Sequence, residues 1–209
     1  MAKYNIPDWA VNSVVEASKQ TGVDPDLLLA FSGAESAFKT EAVSQTGVRG
    51  LFQITGNTWK AIRGKEPYST DANAQALTAA MLISRLLDKY HGDVSKAAIA
   101  YNAGEDVVDK AIRWGGGDIT SESLKRAVQY HIDKGTGGFG PGKVREVFGY
   151  APKINSNYAK YAGVSGYKPT SIFPTVDELS ASKTPRLGLN ASIFDIPPPS
   201  SIKMASAAT

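Results

Sequence analysis

Cysteine is absent from all 209 residues, which removes disulfides, thiolate metal sites and cysteine nucleophiles together. Stability therefore has to come from packing. Long apolar runs are absent too: none exceeds five residues, Leu27 to Phe31 for instance, whereas a membrane-spanning helix needs roughly twenty. A soluble chain with no membrane span is expected. The first twenty residues, broken by Asp8, Asn12, Glu16 and Lys19, lack the apolar stretch of a secretory signal, so export by that route is not expected. A charge excess is missing as well, since 23 Lys plus Arg against 20 Asp plus Glu leave +3 with no basic run, which speaks against a nucleic-acid partner. A mildly basic surface still tolerates an anionic polymer. The patterns of zinc hydrolases, serine-nucleophile elbows and phosphate-binding glycine loops are not found. Only two histidines exist, in Tyr90-His91-Gly92-Asp93 and Tyr130-His131-Ile132-Asp133, near helix ends where the dipole favours them without a metal. No cofactor and no metal are expected.

What is present is apolar material, 42% of the chain, enough for a single core. Residues 1 to 163 read as helical almost throughout. Pro7 stands at a first turn, followed by Val11, Val14, Val15 and Ser18 at helical spacing and closed by Gly22. Asp24-Pro25 supplies an N-cap and a first-turn proline for a second helix, whose apolar stripe continues through Leu28, Phe31 and Phe38. A long helix is expected from about Thr70 to Tyr90, with Leu77, Met81, Leu82, Ile83 and Leu86 inward and Gly92 as the stop. Shorter helices follow over Val94 to Ala103, Glu105 to Trp114 and Ser121 to Lys134, each ended by glycine. Gly135 to Gly142 reads as a mobile glycine-rich loop, and Lys143 to Tyr161 as a helix interrupted at Pro152. No alternating strand pattern competes, so an all-α domain over 1–163 is expected. The last 46 residues hold six of the eleven prolines and eight serines. They read as an extended, mostly irregular arm, 164–209, with Ile172-Phe173 and Ile193-Phe194 as apolar docking pairs.

One charged residue breaks the amphipathic pattern. At about 100° per residue from Leu28, Phe31 falls near 300°, Glu35 near 340° and Phe38 near 280°, which sets a carboxylate inside the apolar arc. Apolar surroundings raise a carboxyl pKa, and a proton held near neutral pH is what a general acid requires. Periodicity alone equally allows a glutamate at the domain edge, or one paired with Lys39 or Arg49.

The residues around it decide. Glu35-Ser36-Ala37-Phe38 is followed by Ala42-Val43-Ser44, by Gly47-Val48-Arg49-Gly50-Leu51-Phe52-Gln53-Ile54, and by Ala100-Tyr101-Asn102-Ala103-Gly104. In wording and order these blocks resemble the soluble lytic transglycosylase family, relatives of goose-type lysozymes, over roughly residues 24 to 154. The resemblance implies a helical, lysozyme-like domain that cleaves the β-1,4 bond between N-acetylmuramic acid and N-acetylglucosamine in peptidoglycan. It implies Glu35 as the catalytic acid/base and Ser44, Gln53, Tyr101 and Asn102 as substrate contacts. Glu146 and Tyr150 match the Glu and Tyr of a further family block, although Val147 replaces its usual Thr and the stretch before it is longer and richer in glycine. On their own residue types, Ser44 equally caps a turn and Asn102 a helix end.

Lysozyme-like chemistry usually employs two carboxylates about 5 to 10 Å apart. Here one is well placed, and Glu41 reads as a solvated loop charge. The family manages with one, the substrate's 2-acetamido group stabilising the cation and Glu35 then deprotonating the muramic acid 6-hydroxyl to close a 1,6-anhydro ring. Hydrolysis by a muramidase of the same fold, and a purely structural role, are the alternatives. With no secretory signal, the expected setting is a phage virion, made in a host cytoplasm and acting on the cell wall, with the arm docked on other virion proteins.

Overall fold

The structure, a computed structural model, describes residues 4–45, 47–136 and 138–169. The arm expected over 164–209 therefore lies outside the described residues beyond 169, as does Gly137 of the glycine-rich loop.

Eight helices form among the described residues, each with a local reason. Helix α1 (Asp8–Thr21) follows Pro7 and stops at Gly22, and α2 (Pro25–Glu35) starts where the Asp24 carboxylate accepts the Asp26 N–H at 2.7 Å. The short α3 (Gly56–Arg63) is capped by Thr55, and α4 (Ala72–Lys89) by Asp71. Asp93 caps α5 (Val94–Ala103); α6 (Glu105–Trp114) follows directly after Gly104. A reciprocal Thr120–Ser123 capping box opens α7 (Ser121–Lys134), and α8 (Lys143–Tyr161) ends the described domain. The only extended pairing among the described residues is an isolated antiparallel bridge between Val43 and Arg49. The described residues are all-α, as expected.

Helix α2 lies at the centre, with Leu27 through Ser32 all buried. It packs against α1 on one side and α8 on the other, while α8 also covers α5. Polar contacts fix the α2–α8 register: Lys153 donates to the Ala34 carbonyl at 2.6 Å, Asn157 to Ala30 at 3.2 Å and Tyr158 to the Asp24 carboxylate at 2.8 Å. Beyond α8, the N–H groups of Gly163 and Ser165 reach the Asp26 carboxylate at 2.6 and 2.9 Å.

The structure corrects several expectations. Helix α2 ends at Glu35, not near Phe38, because Ala37 and Phe38 take left-handed φ values of 50° and 63°. Phe38 is buried all the same, edge-on to Tyr161 at 5.7 Å, so its apolar character was read correctly and its conformation was not. Met81 points outward, 37% exposed, with its sulfur 3.7 Å from Arg63. Pro152 does not interrupt α8. A proline inside a helix costs about 3 kcal/mol through the missing hydrogen bond and the clash of its ring with the preceding turn, and the burial of Val147, Tyr150, Ala151, Ile154 and Tyr158 along the same helix outweighs it. Helix α3 was not expected at all: it is eight residues long and buries only Trp59, too little for a periodic signal.

Gly115, which closes α6, leaves no room for a side chain. A Cβ there would stand 2.0 Å from the Asp118 carbonyl and 3.0 Å from that of Ala111, both backbone atoms. Gly115→Ala is expected to cost about 2–4 kcal/mol, read as a lowered urea midpoint. An unchanged midpoint would show that the α6–α7 turn can open freely.

Candidate active site

Glu35 is the last residue of α2. One helical turn before it lies Phe31, wholly buried, whose ring meets Tyr101 of α5 at 4.9 Å and Tyr150 of α8 at 6.3 Å between centroids. The Tyr150 hydroxyl donates a short hydrogen bond to Glu35 Oε1. Burial pushes the Glu35 carboxyl above the usual carboxylate range, and the opposing pull of the Tyr150 hydrogen bond and the Lys153 charge does not cancel it. Burial, reinforced by the Glu35 charge, also holds the Tyr101 and Tyr150 phenols well above their ordinary value, so both remain neutral donors. Glu35 is half-buried, and no ion pair joins it to Lys39 or Arg49 among the described residues.

A stability consequence follows from that shift. Glu35 binds its proton more tightly folded than unfolded, so its contribution is complete below the ordinary carboxylate range and is lost as pH rises through the raised folded value. Glu35→Gln, which does not titrate, is expected to melt close to wild type at acid pH and above it at neutral pH. A Gln variant less stable than wild type at neutral pH would contradict the burial account.

The segments 42–45 and 47–54, which follow α2, form a wall held by four side chains. Ser36 Oγ donates to the Leu51 carbonyl at 2.8 Å and Tyr101 Oη to that of Phe52 at 2.7 Å. Gln53 Nε2 donates to Gly50 at 2.8 Å and to Ala42 at 3.1 Å. Tyr68 Oη lies 2.7 Å from the Arg49 carbonyl and 3.0 Å from that of Ile54, with its ring against Trp59. Gly50 takes φ 98° where a Cβ would meet the buried Gln75 amide at 3.0 Å. Gln53 itself sits at φ 48°, an uncommon value for a residue with a side chain, sustained by its two amide bonds. Ser44 Oγ accepts the Val48 N–H at 3.0 Å, so it does cap the turn.

A second polar group forms between α5 and α8. Asn102 Nδ2 donates to Glu146 Oε1 at 2.8 Å, and Lys143 Nζ reaches the same oxygen at 2.7 Å and the Asn102 carbonyl at 3.2 Å. Partial burial would raise the Glu146 carboxyl, but Lys143 and Asn102 outweigh it and bring it below its ordinary value. Glu146 is thus a neutralised anion beside a protonatable Glu35. Of the residues singled out from sequence, Glu35 meets Tyr150 and Asn102 meets Glu146, whereas Tyr101 and Gln53 spend their donors on the wall. Lys143, Ser36 and Tyr68 were not singled out from sequence; only Lys143, three residues before Glu146 on one helix face, carried a local signal. Glu41 is exposed, away from these contacts. His131 bridges Asp106 at 3.0 Å and Thr136 at 2.9 Å, and no cluster of three metal-ligating side chains occurs among the described residues.

At the end of α2 the Glu35 carboxyl thus meets the Tyr150 phenol within an all-helical domain, with the Asn102–Glu146–Lys143 group between α5 and α8. The chain belongs to the Transglycosylase SLT domain family, whose pattern matches residues 12–122, more than half of its length. It is similar to the peptidoglycan transglycosylase gp16 of Escherichia phage T7, 35% identical over 112 residues that cover 50% of this chain and 8% of that protein. The transglycosylase of Enterobacteria phage PRD1 is 28% identical over 151 residues, 72% of this chain and 53% of that one. The chain thus spans only part of the length of these curated relatives. Among solved structures, the lytic transglycosylase Slt of Pseudomonas aeruginosa superposes with a TM-score of 0.55 at 20% identity, covering 78% of this chain and 25% of that chain. The 70 kDa soluble lytic transglycosylase of Escherichia coli gives 0.57 at 19% identity, covering 76% and 25%. At that identity the likeness is one of fold.

Proposed function

We propose that the domain is a peptidoglycan lytic transglycosylase that cleaves the β-1,4 bond between N-acetylmuramic acid and N-acetylglucosamine and closes a 1,6-anhydro ring. The observation that carries this reading is the raised Glu35 carboxyl bonded by Tyr150. Burial shifts Glu35 toward holding its proton, while the acid that acts on it from α8, Glu146, is neutralised by Lys143. Because Tyr150 donates to Oε1, the Glu35 proton is assigned to Oε2. That proton passes to the glycosidic oxygen as its bond to the anomeric carbon breaks, and the substrate's acetamido group stabilises the cation. Glu35, now a carboxylate, takes the proton of the muramic acid 6-hydroxyl, whose oxygen bonds the anomeric carbon. No water enters. Ser44, Gln53, Tyr101 and Asn102 shape the walls on either side, with Glu146 and Tyr150 completing the floor.

The setting proposed is local cell-wall penetration during phage infection, supported by the two phage relatives. Residues 1–163 then form the catalytic domain, and 164–209 an arm that joins it to other virion proteins. Muropeptides released from purified sacculi are expected to be lighter by one water than hydrolytic products and resistant to borohydride, because an anhydro end has no reducing group. Borohydride-reducible products would mean a muramidase.

A further inference from the structure

Between the start of α1, the segment after α2 and the start of α4 lies a groove of about 630 Å³ that shares no residue with the cleft around Glu35. Its apolar feature is Trp9, a large indole that the fold leaves 40% exposed. Around the indole stand the amides of Asn12 and Asn73, the Thr40 hydroxyl and the carboxylates of Glu41 and Asp71. No lysine or arginine lines it, which disfavours phosphate-bearing polymers and anionic lipid surfaces. An exposed aromatic face ringed by amides, hydroxyls and carboxylates suits a pyranose ring. The apolar C–H face of the sugar covers the indole, and its hydroxyl and acetamido groups find donors and acceptors at the rim.

The groove is also joined to the cleft. Thr40 and Glu41 form one wall, and the next residue, Ala42, accepts both the Gly50 N–H at 3.0 Å and the Gln53 amide at 3.1 Å. Six residues separate Glu41 from Glu35, at most about 20 Å of chain. A polymer engaged in the cleft is therefore within reach of the groove.

We propose that the Trp9 groove binds N-acetylamino-sugar units of peptidoglycan outside the cleft and holds the polymeric substrate during cleavage. This rests on the reading of the chain as a peptidoglycan enzyme. Binding is measured on the full chain carrying Glu35→Gln, titrated with a hexamer of N-acetylglucosamine while the indole N–H resonances are followed. The Trp9 signal is expected to shift and that of Trp59, buried with its Nε1 bonded to the Glu66 carbonyl, to stay. On sacculi, Trp9→Ala in the otherwise native chain should raise KM about tenfold with kcat unchanged, and Trp9→Tyr should restore most of the loss. If Trp9→Ala melts well below wild type, the double change Asn12→Ala with Asn73→Ala is read in its place.

A Trp9 signal that stays still, a shift produced only by amine-bearing stem peptides, or a KM unchanged in these variants overturns the proposal. A wild-type chain that leaves sacculi intact while the Trp9 signal moves would overturn the enzymatic reading and leave the groove standing.

Discussion

Glu35→Gln is expected to reduce cleavage of purified sacculi by about a thousandfold or more, with helix content unchanged. The amide fills nearly the same volume and still accepts the Tyr150 hydrogen bond, but it cannot release a proton. A positioned general acid contributes about 10²–10⁴ in rate, and here one group serves twice, first as acid and then as base. No second carboxylate stands ready to replace it, since Glu146 is held as an anion by Lys143 and Asn102. Turbidity loss of sacculi at matched protein concentration, with circular dichroism as the folding control, measures this. A variant retaining half of the wild-type rate would remove Glu35 from the mechanism.

Phe31→Ala is expected to have the largest effect on stability. The ring is fully buried, and deleting such a side chain typically costs about 3–5 kcal/mol. It also forms the common surface on which Tyr101 and Tyr150 rest, so both phenols lose their stop. Activity should therefore fall further than unfolding alone explains. Leu29→Ala, equally buried on the same helix but without ring contacts to those tyrosines, is the control. Urea unfolding should show losses of similar size for the two variants, with kcat at a temperature where both are folded reduced mainly in Phe31→Ala. Equal kcat values would mean that the tyrosines are positioned by other contacts.

Local signals carried most of the helices and left the site half visible. The bounds of α5, α6 and α7 coincide with the glycine stops at 104, 115 and 135, because a helix end is decided within a few residues. The Leu28–Phe31 stripe by itself left Glu35 open between an inward position and the domain edge, and the blocks around it decided the reading. Phe38 was misplaced because the chain leaves the helix after Glu35 to let Ser36 reach Leu51, a contact between residues fifteen apart. Pro152 was read as a break because its local cost is visible in sequence and the burial that outweighs it is not. The bonds from Tyr101 to Phe52 and from Tyr68 to Arg49 and Ile54 shape the cleft wall, yet no spacing rule links such residues. The Tyr150–Glu35 contact spans 115 residues, and the family blocks marked each as a site residue without pairing them.

In the proposed reaction Glu35 alone, with the substrate's own 6-hydroxyl as nucleophile, breaks the glycan strand without water. Cleavage of sacculi in water enriched in oxygen-18, followed by mass measurement of the released muropeptides, decides this. Anhydro products of the same mass in labelled and ordinary water are expected. Products heavier by one labelled oxygen at a reducing muramic acid end would overturn the reaction.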